Sequence, residues 1–139
     1  MDFVGAKVVL VQGANLLAYL RDDKPDLPWA NMWDLPGGGR EGDEDPETCV
    51  LREVEEEFGL RLAPERLLWQ RVWPSMMNGA RQSVFFAGQI TQEEIAAIRF
   101  GDEGLYWRMM AVAEFLTHDR AIPEMQRRVA VALAALGWA

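Results

Sequence analysis

The sequence predicts an α/β sandwich, with residues 1–139 forming one domain. Three observations lead there. Short runs rich in valine, leucine and aromatic residues alternate with turn-forming stretches, as strands do. The glycine run Gly37-Gly38-Gly39 leads into a helical pattern opened by Pro46, and a second pattern opened by Pro123 closes the chain. At 139 residues and 50% hydrophobic content, the chain supports one core and is too short for two ordinary domains. Periodicity alone leaves the strand order open.

Phe3 to Val11 and Leu16 to Arg21 read as a β-hairpin, separated by Gln12-Gly13-Ala14-Asn15. Asp22 to Trp29, with two prolines and several charges, reads as a loop leading to Met32-Trp33-Asp34-Leu35 and the glycines. Asp45 as N-cap, Pro46 at the first helical position and Gly59 just past the end bound a helix over roughly 46–58. Leu67 to Trp73 and Gln82 to Ile90 predict strands joined by a loop at Pro74 to Ala80, and Leu105 to Met109 a further strand. Glu114 to Asp119 predicts a short helical turn. Pro123 to Leu136, with Val129, Leu133 and Leu136 at helical spacing, predicts the closing helix.

The chemistry concentrates in one stretch. At about 100° per residue, Val50, Leu51, Val54 and Phe58 share one helix sector, while Glu53, Glu56 and Glu57 form an i, i+3, i+4 set on another. Those glutamates lie in the C-terminal half of the helix, where the dipole disfavours anions by roughly 0.3–1 kcal/mol each at exposed sites. Read alone, an acidic helix is usually a solvated face. A bound cation, however, explains both the clustering and its adverse position, and hard oxygen ligands favour Mg²⁺ or Mn²⁺.

From Gly38 to Leu60, the positions Gly38, Glu44, Arg52, Glu53, Val54, Glu56, Glu57, Gly59 and Leu60 follow the spacing G-x5-E-x7-R-E-U-x-E-E-x-G-U without a mismatch. Pro36-Gly37 extends the match upstream. The chain resembles the Nudix hydrolases, of MutT type, strongly over about residues 33 to 60 and weakly elsewhere. The resemblance implies an α/β/α sandwich around a mixed sheet and divalent-metal-dependent cleavage of a nucleoside diphosphate linked to a further group X. Carried over residue by residue, Glu53, Glu56 and Glu57 coordinate metal, with one of them a candidate proton acceptor. Arg52 orients Glu56 by an ion pair, Gly37 and Gly38 let the backbone approach metal or phosphate, and the Gly38 carbonyl is a candidate ligand. Glu41 and Glu44 read as braces of the loop and helix start. Many members recruit a further acid from outside the motif as ligand or general base. Glu103, in the turn Gly101-Asp102-Glu103-Gly104 before Tyr106-Trp107, is the candidate, ahead of Glu93 and Glu94, which read as a capped helix start.

A formal charge of −8 argues against a nucleic-acid surface. An anionic substrate must therefore be drawn in by metal and a few arginines, with Arg21, Arg40, Arg81 and Arg108 as candidates on placement and Arg21 carried forward. Trp29 and Trp33 flank the glycine run, and either offers a face to a base; Trp33 joins the candidate substrate contacts, although burial tendency favours packing for it. Trp69, Trp73 and Trp107 fall in strands and are expected in the core. The sole cysteine, Cys49, excludes an internal disulfide, and the sole histidine, His118, is given no role. No apolar run approaches the ~18 residues of a membrane span, and Met1-Asp2-Phe3 lacks the features of a signal peptide. The expectation is a cytoplasmic enzyme taking a small nucleotide, with a second copy of the chain as partner left open. A nucleoside triphosphate is the first choice of substrate, ADP-ribose or a nucleotide sugar the alternative. Pro74 favours the latter weakly. A nucleotide sensor of the same fold that does not cleave is the reading from another class, and the intact motif weighs against it.

Overall fold

The computed structural model describes residues 1–138. Its elements run β1 (Phe3–Gln12), β2 (Asn15–Leu20), β3 (Trp33–Asp34), β4 (Gly37–Gly39), α1 (Pro46–Phe58), β5 (Leu67–Pro74), β6 (Gln82–Gln89), α2 (Gln92–Ala96), β7 (Tyr106–Ala111), α3 (Val112–Thr117) and α4 (Pro123–Leu136). A short 3-10 turn at Pro64–Arg66 precedes β5.

The seven strands form one mixed sheet in the order β3-β2-β1-β6-β5, with β4 added along β1 and β7 along β2. Among the strands of the described residues β1 and β6 run parallel, from Phe3↔Gln82 to Val11↔Gln89, and the other strand pairs are antiparallel. Because side chains alternate across a strand, β1 feeds two cores. Val8 and Leu10 join Val50, Val54 and Phe58 of α1, while Val9 and Val11 join Phe115 of α3 and Val129 and Leu133 of α4. The result is the α/β/α sandwich that the resemblance implies.

The closing helix, the hairpin and the cap residues lie where the sequence places them. Two regions differ from the reading. Trp33-Asp34 and Gly37–Gly39, which the reading assigns to no strand, are short strands, because β2 and the first half of β1 have free edges for them to pair with. The third helix starts at Val112 and ends at Thr117, earlier than the turn expected at Glu114 to Asp119. Of the tryptophans expected in the core, Trp73 is buried, but Trp69 and Trp107 are only partly so. Trp69 sits on β5, an edge strand, its ring tilted against that of Trp73. Among the described residues no helix is long and apolar enough to cross a membrane.

Candidate active site

The geometry begins with how α1 is held. Asp45 caps it by accepting the Thr48 N–H at 2.8 Å, and Gly59 ends it in the left-handed region with φ +68, donating its N–H to Glu55 O. Cys49, Val50, Val54 and Phe58 are buried against the sheet, fixing the rotation of the helix so that Glu53 and Glu57 meet β4. Gly37 donates its N–H to Glu57 Oε1 at 2.9 Å. At that glycine φ is +132, and a Cβ would lie 2.2 Å from Ala6 O and 2.6 Å from Lys7 Cα, so no side chain fits. At Gly38 a Cβ would meet the Glu53 carboxyl carbon at 2.6 Å. The glycine strand thus lets two carboxylates lie against backbone.

These carboxylates open onto a cavity of about 620 Å³, within the usual range for a small-molecule site. Gly37, Gly38, Arg21, Glu53, Glu56, Glu57 and Glu103 all line it. Glu103 arrives from a distant turn strapped to the end of α1. Gly101 donates its N–H to Glu57 O at 2.8 Å and approaches so closely that a Cβ would sit 2.8 Å from Glu56 O. Gly104, with φ +90, then returns the chain to β7.

Burial pushes the Glu57 carboxyl up to about 8, against the pull of the Lys7 charge and the Gly37 N–H. Glu53 is likewise raised, chiefly by burial, with Arg52 opposing and Glu56 and Glu103 adding negative charge. Two partly desolvated acids with raised proton affinity beside further acids form a site that gains from a cation. Every donor is a hard oxygen, which fits Mg²⁺ or Mn²⁺. As the side chains stand, no group of three acidic, histidine or cysteine residues among those described converges on one point. On the outer side Arg52 Nη1 spans Glu53 at 3.1 Å and Glu56 at 3.2 Å.

Arg52 does more than the ion pair with Glu56 that its spacing predicts. Its Nε and Nη2 grip both oxygens of Glu44 at 2.9 Å, Nη2 also donates to Gly39 O, and Nη1 reaches Glu41. That fork-to-fork bond holds the Glu44 carboxyl down at about 2. Glu44 also accepts the Glu41 N–H, bracing the loop as expected.

Behind the glycines lies a buried network that the sequence reading missed. Lys7 Nζ donates to Asp34 Oδ2 and Leu35 O at 3.0 Å and to Gly37 O at 3.3 Å. Arg21 Nη1 and the Tyr19 hydroxyl converge on the same Asp34 oxygen. Burial disfavours the charged lysine, but Asp34, Tyr19 and Glu57 together more than offset this and leave its proton affinity raised. The signal was available: Lys7 is the only charge in the apolar run Val4 to Val11. Arg128 was missed as well. It is 3% exposed, lines the far end of the cavity, and donates to Glu124, Ser83 Oγ and Pro74 O.

Other predicted residues lie elsewhere. Trp33 is 4% exposed, edge-on to Tyr106 with Arg108 over its ring, and does not line the cavity; packing has taken the faces that a base would need. Trp29 lines it instead. Glu94 caps α2 and pairs with Arg66; of the three acids offered from outside the motif, Glu103 lines the cavity and Glu93 and Glu94 do not. Arg40 lies over Phe3, Arg81 pairs with Asp2 and Arg108 with Glu114.

A family model described as the NUDIX domain matches residues 2–131. The chain belongs to the Nudix family. An RNA pyrophosphohydrolase of Acidiphilium cryptum is 48% identical over 56 residues, which cover 40% of this Nudix chain and 33% of that protein. Another of the same name, from Rhodospirillum rubrum, is 35% identical over 103 residues, covering 62% and 58%. A crystal structure of a bifunctional NMN adenylyltransferase/ADP-ribose pyrophosphatase from Francisella tularensis, with AMP and a manganese ion, superposes with a TM-score of 0.72 at 19% identity over 97% of this chain and 42% of that one. In all three the Nudix chain matches less than two thirds of the relative's length.

Proposed function

We propose that this Nudix chain, read as one domain, is a divalent-metal-dependent pyrophosphohydrolase that cleaves the diphosphate of a nucleoside diphosphate linked to a further group X. The observation that carries the reading is the convergence of Glu53, Glu56, Glu57 and Glu103 with the Gly38 backbone on one cavity, although Glu103 lies far from the motif in sequence. Glu53, Glu56, Glu57 and Glu103 would hold the metal, with the Gly38 carbonyl, which now accepts the Cys49 thiol at 3.7 Å, as a further donor. A bound Mg²⁺ or Mn²⁺ supplies neutralisation of the diphosphate and a lowered pKa for its water.

The chain's own residues do the rest. Arg52 ties Glu53 and Glu56 together through one guanidinium nitrogen and keeps both carboxylates on the cavity wall, from which they would turn to the metal. Gly37 aims Glu57, and Lys7 holds Gly37 by its carbonyl. Glu103, exposed on the cavity wall, serves in this reading either as metal ligand or as the acceptor of the attacking water's proton. Arg21 keeps positive charge at the cavity wall of a chain whose net charge repels anions.

Nucleoside triphosphates are the first choice of substrate. A 5′-triphosphorylated RNA end is a second reading, favoured by the names of the two sequence relatives, while the charge of −8 weighs against a long polynucleotide track. ADP-ribose is a third member of the panel, after the Francisella neighbour. The test is pyrophosphate and phosphate release from nucleoside triphosphates, ADP-ribose and a short 5′-triphosphorylated RNA, with Mg²⁺ and after chelation. Metal-dependent turnover of any of them supports the reaction class; turnover undiminished by chelation contradicts it.

A further inference from the structure

Trp29 has no part in handling a diphosphate, yet the chain holds it in a costly conformation. Its φ is +52, in the left-handed region that a bulky side chain enters only under constraint. The constraint is visible. Arg21 Nε donates to Pro28 O at 3.1 Å, Ala30 donates its N–H to Leu27 O, and Asn31, itself at φ +58, donates its N–H to Asp22 O. The same Arg21 guanidinium holds Asp34, so the backbone just before Trp29 is tied to the network beneath Gly37.

The surroundings of the ring point to a ligand. Trp33 and Trp73 each have an edge-on ring partner, Tyr106 and Phe85, whereas among the described residues Trp29 has none. It is only partly buried. It lines the cavity at the end away from the glutamates and also a second cavity of about 500 Å³, the two adjoining along Trp29, Met76, Ile122, Ser75 and Arg128. Arg128 is engaged by Glu124 at 2.8 Å, so the junction does not call for another anion. An indole, a thioether and an isoleucine favour a flat, uncharged group.

We propose that this junction is the subsite for the substrate's nucleobase, with the Trp29 indole as the surface on which the base stacks. The proposal rests on the pyrophosphohydrolase reading for its orientation: a diphosphate at the glutamates leaves the base to the opposite end. A backbone already held in place loses little freedom when the base arrives. Stacking of this kind tolerates any base but requires one, so the substrates are nucleotides and not base-free diphosphate esters.

The test uses the full chain with Mg²⁺ and α,β-methylene-ATP, which binds without being cleaved. Trp29→Leu is expected to weaken binding by about tenfold or more, and Trp29→Phe, which keeps a ring, by less than about threefold. For hydrolysis, the ratio of kcat/KM for ATP to that for tripolyphosphate should fall about tenfold in Trp29→Leu. A folded Trp29→Leu that binds the analogue as wild type does overturns the subsite, even where hydrolysis proves the reaction class. Conversely, wild type that cleaves nothing, with binding still weakened by Trp29→Leu, sustains the subsite and defeats the hydrolase reading. If Trp29→Leu does not fold, 5-fluorotryptophan labelling decides: the ¹⁹F resonance missing from Trp29→Phe should shift with α,β-methylene-ATP and stay put with tripolyphosphate. No shift with the nucleotide overturns the proposal.

Discussion

At one end of the cavity Glu53 and Glu57 are partly or largely buried acids with raised proton affinity; at the other, Arg128 is more deeply buried yet has Glu124, Ser83 and the Pro74 carbonyl within hydrogen-bond reach. Burial therefore does not by itself mark the reactive end. Lack of compensation does. A buried charge with its partners in place is architecture, whereas acids that resist ionisation because burial, and then their acidic neighbours, disfavour the charge store electrostatic free energy that a cation can release. On this view the far end reads shape and the near end does chemistry. The contrast makes separate predictions for each.

The largest effect is expected at Glu57. Glu57→Gln should lower kcat by about a thousandfold or more, as loss of a metal ligand or proton acceptor does. The Tm of the chelated protein should stay the same or rise, because an uncompensated buried acid is removed. Steady-state kinetics and a thermal scan check both; a large fall in each would make Glu57 a structural acid and erase the contrast with Arg128. Glu103→Gln should cut kcat by roughly 10²–10⁴ with the fold intact, while Glu93→Gln stays near wild type. Near-normal kcat would remove Glu103 and return the base to Glu53, Glu56 or Glu57.

Arg52→Ala should lower kcat by about tenfold to a hundredfold with a smaller change in KM, since it positions carboxylates and does not line the cavity. An effect confined to KM would assign it to substrate. Its grip on Glu44 also predicts a Tm lower by a few degrees, more than an isolated surface pair would give. The mildest effect is on pH. The Glu57 pKa of about 8 lies above the ordinary carboxylate value of 4.5, so the folded state binds the extra proton. The stability it contributes is complete below about pH 4.5 and is lost as pH rises through about 8. Chelated wild type should therefore lose Tm between pH 6 and 9 more steeply than Glu57→Gln; equal slopes would mean that Glu57 titrates normally.

How legible each end was follows from how it is assembled. The near end lies mostly in one contiguous stretch, where caps at Asp45 and Gly59 and the spacing of Glu53, Glu56 and Glu57 are local features that the fold preserves. Glu103 was legible because glycines flank it and a strand follows. The far end draws on the 21–32 loop, the Ser75–Met77 turn and the start of α4, and no local pattern joins these segments. Trp33 went the other way. Its place beside the glycines suggested a substrate contact, but its pairing with Leu20 on β2 turns the ring into the core. Lys7 and Asp34 meet because β3 pairs with β2 while β4 pairs with β1, contacts that no local pattern joins.

The central claim is that the acids of the near end await a cation, and proton release on metal binding tests it most directly. Titrating Mg²⁺ or Mn²⁺ into the chelated protein at pH 7, by calorimetry in buffers of different ionisation enthalpy, counts the protons. A carboxyl at about 8 is mostly protonated at pH 7, so wild type should release about one proton per chain on binding, and Glu57→Gln far less. Absence of metal binding, or the same proton count in both proteins, would contradict the account.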